Sequence, residues 1–184
     1  MPRVLLPLAE GFEELEAVTV IDVLRRGGIE VVVAGLQEGP VKASRGTVLH
    51  PDAPLDAVMD QDFDMVVLPG GMPGVKHLRE DERVRGLLER QRSKNRCIAA
   101  ICAAPSILAA YGHLEGKRAT SNPKFKEQVA IGPVRYVEDA VVEDGEVITS
   151  RGPGTSMLFA LALVERLAGT QRRREVEAGL VFPA

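Results

Sequence analysis

Four short apolar runs punctuate the chain: Val4 to Leu8, Ile29 to Ala34, Met65 to Leu68 and Cys97 to Ile101. Each has the length of a strand and is close to continuous in aliphatic residues, as required where both faces of a strand meet protein. Helical patterns follow the first, third and fourth runs, and such alternation builds a parallel sheet with helices on both faces. The expected fold class is therefore α/β, a three-layer α/β/α sandwich with a mainly parallel central sheet. Shorter alternating runs from Val41 to Pro54 and from Val137 to Thr149 are broken by Ser-Arg-Gly and Asp-Gly. They read as hairpins added to the sheet, with a few antiparallel edge strands. Ser156 to Leu167 carries a long apolar helical pattern ending at Gly169, and Arg172 to Ala178 reads as a short terminal helix.

Composition narrows the function classes. The 184 residues fit one domain, 1–184, and 45% hydrophobic content supports a core without disulfides or metals. With 23 basic and 26 acidic side chains the formal charge is −3, which leaves no electrostatic footprint for nucleic acid. The opening residues, MPRVLLPLAEGFEE, reach acidic side chains before the apolar stretch is long enough for a signal peptide, and no later segment approaches a membrane span. A cytoplasmic protein is expected, with small molecules or proteins as partners and no membrane. Cys97 and Cys102 match neither a disulfide framework nor zinc spacing, so both are expected to be reduced thiols. His50, His77 and His113 show no ligand spacing; surface or loop roles are expected for them, and no metal.

The most informative stretch is RCIAAICAAPSILAAY. A buried strand runs into Cys102, and the small residues Ala103 and Ala104 precede Pro105, a suitable first-turn residue for the next helix. Free N–H groups and the positive end of a helix favour thiolate over thiol, so the Cys102 pKa is expected below its free value of about 8.5. Cys97, inside the strand, is expected to be an inert buried thiol.

Glu16 is the second candidate. In the first helix Leu15, Val18, Ile21 and Leu24 keep helical register, but Glu16 aligns with Val20 and Val23, at the edge of or within a stripe facing the sheet. A buried Glu16 would have a raised pKa and donate a hydrogen bond to sulfur; an exposed one would merely flank the stripe. LPGGMPG places Gly70 and Gly71 after a parallel strand, where their N–H groups could form an oxyanion hole. RGPGTS also opens a helix, but Met157 stands where a dinucleotide fingerprint requires a third glycine.

AEGFEELEAV, VLPGGMPG, AAICAAPS and TSRGPGTS, in this order and spacing, resemble the ThiJ/PfpI superfamily across essentially the whole chain. The resemblance is to the branch of the Parkinson disease protein deglycase and bacterial YajL. It implies a flavodoxin-like sandwich, a homodimer, and a reactive Cys102 that oxidises readily to sulfinic acid. It also implies Glu16 as the acidic partner of that cysteine, Gly70, Gly71 and Ala103 as backbone donors, and Arg45 near the site and the dimer contact. Where several members place a histidine beside the cysteine, this chain has Asn122. A Cys-His mechanism of protease or amidotransferase type is thereby in doubt.

The implied activity is cofactor-free: a glutathione-independent glyoxalase or protein deglycase acting on methylglyoxal, glyoxal or glycated protein. The alternative is a redox sensor or oxidation-activated chaperone that uses Cys102 sulfinic acid with little turnover, since peroxide also selects the thiolate. A binding module with an inert cysteine ranks last.

Overall fold

The four apolar runs form the adjacent inner strands of a seven-stranded sheet. The computed structural model describes residues 1–183, so Ala184, the last residue of the expected domain, lies outside the described residues. The strands are β1 (Arg3–Leu8), β2 (Glu30–Gly35), β3 (Val41–Lys42), β4 (Val48–Leu49), β5 (Ala53–Pro54), β6 (Met65–Leu68), β7 (Cys97–Ile101), β8 (Arg118–Ala119), β9 (Arg135–Tyr136), β10 (Val141–Asp144) and β11 (Val147–Ser150). The helices are α1 (Glu14–Arg26), α2 (Gly74–Glu80), α3 (Glu82–Ser93), α4 (Pro105–Ala110), α5 (Lys126–Val129) and α6 (Ser156–Leu180). Gly169, at φ 86, interrupts α6 where the sequence pattern ends the long apolar helix.

The main sheet runs β10-β11-β7-β6-β1-β2-β5, parallel throughout except for β10 at the edge. Its inner order is that of a flavodoxin-like doubly wound sheet, whose ligand crevice opens at the carboxyl ends of the strands where the winding reverses. Here that point lies between β1 and β6.

Strand periodicity divides the core in two. Val4, Leu6, Met65, Val67, Ala99 and Ile101 pack on one face with α1 and α6 residues such as Leu24 and Phe159. Leu5, Val66, Leu68, Ile98 and Ala100 point the other way, against residues of α2, α3 and α4. Alternate side chains of one strand reach opposite layers, so both layers must be apolar and the runs are continuous.

Two expectations need correction. The hairpin formed by β3 and β4 is a separate two-stranded sheet; from Val41 to Pro54 only β5 joins the main sheet, beside β2. In α1, Leu15 and Val18 are 54% and 45% exposed, while Glu16, Ala17, Val20, Ile21, Val23 and Leu24 turn inward. The Glu14 carboxylate accepts N–H bonds from Arg45 and Thr47, which commits its side of the helix to the β3–β4 hairpin. At 3.6 residues per turn Glu16 lies on nearly the opposite side, toward the sheet.

Candidate active site

β7 ends at Ile101, and the next residue, Cys102, has φ 65. This left-handed conformation costs a residue bearing a Cβ about 1–2 kcal/mol, so its neighbours must hold it. The Cys102 N–H donates to the Ser150 carbonyl at 3.0 Å, and its own carbonyl accepts the Asn122 N–H at 2.9 Å. Both peptide groups of the strained residue are therefore tied to adjoining segments. Half-buried Cys102 is positioned at the carboxyl end of the sheet, before α4 begins.

The loop after β6 brings the other half of the site. Gly70 donates its N–H to Glu16 Oε2 at 2.8 Å and accepts the Glu13 N–H on its carbonyl at 2.9 Å, which locks it to the start of α1. A Cβ on Gly70 would lie 2.6 Å from both the Cys102 Cβ and Glu16 Oε2, so the carboxyl and the cysteine converge on a space only glycine leaves open. Gly71, at φ +94, could carry no Cβ either, since the atom would lie 2.3 Å from the Glu13 nitrogen.

Glu16 is completely buried. Its Oε1 has no partner of proper hydrogen-bond geometry, so its close interaction with Cys102 is not an aligned bond. Burial pushes the Glu16 pKa up to about 7, helped by the Glu13 charge and opposed by interactions with Cys102 and the Gly70 N–H. Burial also pushes the Cys102 thiol up to about 12, followed in effect by the charge of Glu16 and its close side-chain contact. The N–H groups of Ala103 and Gly71 act in the opposite sense on the sulfur but are outweighed.

This overturns the expected depression of the Cys102 pKa. α4 starts three residues further on and spans only Pro105–Ala110, whereas desolvation and a neighbouring acid act directly on the sulfur. Closely coupled groups lose their protons in two steps that belong to the pair. One proton leaves near neutrality and the second far above it, so the pair retains at least one proton across the neutral range. These values leave that proton on the sulfur, and a thiolate facing the Ala103 and Gly71 N–H groups arises when it passes to Glu16.

A profile of the DJ-1/PfpI family matches residues 2–166. The chain belongs to that family. Protein dj-1beta of Drosophila melanogaster is 49% identical over 176 residues, covering 95% of this chain and 94% of the relative. The crystal structure of Drosophila melanogaster DJ-1beta matches with a TM-score of 0.95 at 47% identity, covering 100% of this chain and 99% of the other. A relative from Caenorhabditis elegans, glutathione-independent glyoxalase DJR-1.2, is 40% identical over 169 residues, covering 92% of this chain and 89% of its own length.

Within this DJ-1/PfpI chain the remaining sequence candidates separate. Gly71 and Ala103 reach the sulfur through their N–H groups, but the Gly70 N–H is committed to Glu16 and is not an oxyanion donor. Asn122 adjoins Cys102 by its backbone, while its side-chain Oδ1 accepts the Lys124 N–H and caps a short turn. Arg45 lies exposed at the tip of the β3–β4 hairpin. Its N–H is held by Glu14, and its guanidinium makes no ion pair or hydrogen bond among the described residues. Within one chain it is therefore not assembled with Cys102. His113 lies in the loop after α4, in keeping with one of its two expected roles, but it is buried rather than at the surface.

Ser150 was missed as a support of the site. Its carbonyl holds the Cys102 N–H, and the available signal was the short apolar run Val147 to Thr149 leading into TSRGPGTS. Cys97 remains buried, with its sulfur 3.4 Å from Arg166 Nε.

Proposed function

We propose that the protein is a cysteine-dependent, glutathione-independent glyoxalase with deglycase capacity, acting on methylglyoxal, glyoxal or early glycation adducts of proteins. The observation that carries this reading is the convergence of Glu16 and Cys102 across the open side of Gly70. The C. elegans relative named as a glutathione-independent glyoxalase supports the same chemistry.

In the proposed reaction the Cys102 thiolate attacks the aldehyde carbon of methylglyoxal, and the new oxyanion takes the proton from Glu16, giving a hemithioacetal. Glu16, now a carboxylate, removes the hydrogen from that carbon, the hydroxyl proton passes to the neighbouring oxygen, and the resulting enediolate is reprotonated at the adjacent carbon by the same carboxyl. The former aldehyde carbon is oxidised to a thioester and its neighbour reduced to an alcohol. Water then cleaves the thioester, releasing lactate and restoring Cys102. The Ala103 and Gly71 N–H groups that face the sulfur stabilise the thiolate before attack and after hydrolysis. The near-neutral titration of Glu16 suits it to give and retake a proton repeatedly.

The deciding experiment follows lactate formation from methylglyoxal, without glutathione or metal, by wild type and Cys102→Ser. Lactate from wild type alone supports the reading; equal output from both, or none from either, sinks it. The alternative, a redox sensor or oxidation-activated chaperone, is favoured by the half-buried sulfur beside an acid able to hydrogen-bond a sulfinate. Peroxide titration with mass spectrometry would support that alternative if oxidation halts at Cys102 sulfinic acid in a protein that makes no lactate.

A cytoplasmic homodimer is part of the proposal. Exposed Leu15, Val18 and Val48 lie on α1 and the β3–β4 hairpin, which Glu14 ties together, and Arg45 belongs to the same hairpin. Sedimentation of wild type and Val18→Asp tests this; a monomeric wild type would end it. Among the described residues no helix is long and apolar enough to cross a membrane.

A further inference from the structure

At the opposite end of β7 from Cys102, a cavity of about 210 Å³ is lined by Arg92, Arg96, His113, Glu115, Lys117 and Glu146. It adjoins the amino ends of β7 and β11, so a five-residue strand separates it from the cysteine, roughly 15 Å along the sheet. Nothing in the proposed reaction uses it.

His113 is 5% exposed, and its Nε2 is buried with no hydrogen-bond partner. Its position is fixed by its own N–H, which donates to the Leu108 carbonyl at 2.9 Å. Buried polar nitrogens are almost always paired, and this orphan belongs to a ring that lines the cavity, so the ring is where a ligand atom would supply the missing partner. The surrounding cations are only partly engaged. Arg92 makes no ion pair among the described residues, Arg96 contacts Asp62 at 3.3 Å, and Lys117 Nζ donates to the Asp144 carbonyl at 3.3 Å. Glu115 and Glu146 offset part of this charge, leaving the wall positive with His113 neutral. Glu89 and Arg92 on α3 also face the imidazole; burial and Arg92 lower its pKa and Glu89 opposes them. An anion beside Arg92 would relieve that repulsion.

We propose that this cavity binds a phosphate group, free or carried on a small metabolite, with the His113 ring and the Arg92 guanidinium as principal donors. A guanidinium fork matches the spacing of phosphate oxygens, and a tetrahedral anion accepts from several directions at once. The cavity is smaller than the roughly 300–1,000 Å³ of sites that enclose drug-sized ligands, so the phosphate can carry only a small remainder.

The test is NMR of the intact protein labelled with ¹⁵N-histidine, titrated with inorganic phosphate, with glycerol 3-phosphate, and with chloride at matched ionic strength. The His113 resonances are assigned by their loss in His113→Gln. A saturable His113 shift with either phosphate compound, absent with chloride, is expected, and Arg92→Ala should weaken it at least tenfold. Because Arg92 is exposed, this variant tests the site even if His113→Gln folds poorly. Tighter binding of the ester identifies a phosphomonoester ligand, and tighter binding of inorganic phosphate identifies the free ion. A linear shift reproduced by chloride, or saturable binding indifferent to Arg92→Ala, overturns the site. Cys102→Ser should bind unchanged; loss of the shift in that variant would move the anion to the cysteine and also overturn it.

Discussion

Replacing Glu16 by glutamine tests the electrostatic account of the site through stability. The substitution keeps the volume and keeps an oxygen to accept the Gly70 N–H, which lies 2.8 Å from Oε2. It removes a group whose pKa rises from 4.5 to about 7 on folding. Below about pH 4.5 the acid is protonated in both states and its full stabilising effect is present. As the pH rises toward 7, the unfolded chain loses the proton first, so the folded state loses stability, and above 7 the loss is complete. At 1.36 kcal/mol per pKa unit the loss amounts to roughly 3 kcal/mol. Urea midpoints of wild type and Glu16→Gln, measured from about pH 4.5 to about pH 7.5, isolate this contribution because the other titrations cancel. This range stops short of the free-cysteine pKa of about 8.5. Wild type should lose roughly 3 kcal/mol relative to the variant across it. Parallel profiles, or divergence of the opposite sign, would refute the raised Glu16 pKa.

Three further outcomes follow from the same geometry. Glu16→Gln should keep Cys102 reactive toward iodoacetamide, since the charge that lifts the thiol pKa is gone, while lactate formation falls at least about 100-fold for want of a proton carrier; retained turnover would remove Glu16 from the mechanism. Gly70→Ala should abolish activity and lower thermal stability because its Cβ would lie 2.6 Å from two site atoms, whereas Gly154→Ala, with nothing within 4 Å, should be near neutral in a melting assay. Cys102→Gly should be more stable than Cys102→Ala by about 1 kcal/mol in chemical denaturation, because only glycine relieves the strain at φ 65; equal stability would show that the turn is unstrained.

Much of the fold was legible from local pattern. Met65 to Leu68 and Cys97 to Ile101 are strands with the expected bounds, and Gly169 breaks the last helix as expected, because apolar period and glycine placement act within a few residues. The family motifs likewise located Cys102, Gly71 and Ala103, which the structure brings together.

What remained hidden depends on elements distant along the chain. Glu16 could have been exposed or buried, and its burial is decided by Gly70 and by the hairpin that commits Glu14 to the other side of α1. The Cys102 pKa could not be judged from its place before a helix, because desolvation and Glu16 outweigh the backbone N–H groups beside it. His113 carried no burial signal in a polar segment, yet α4 and the neighbouring loop enclose it. The sequence by itself determined where strands, turns and reactive side chain types occur, since these follow from short-range periodicity and backbone preference. Only the tertiary structure decided which groups lose water and which charges become neighbours, because both are sums over residues from separate elements.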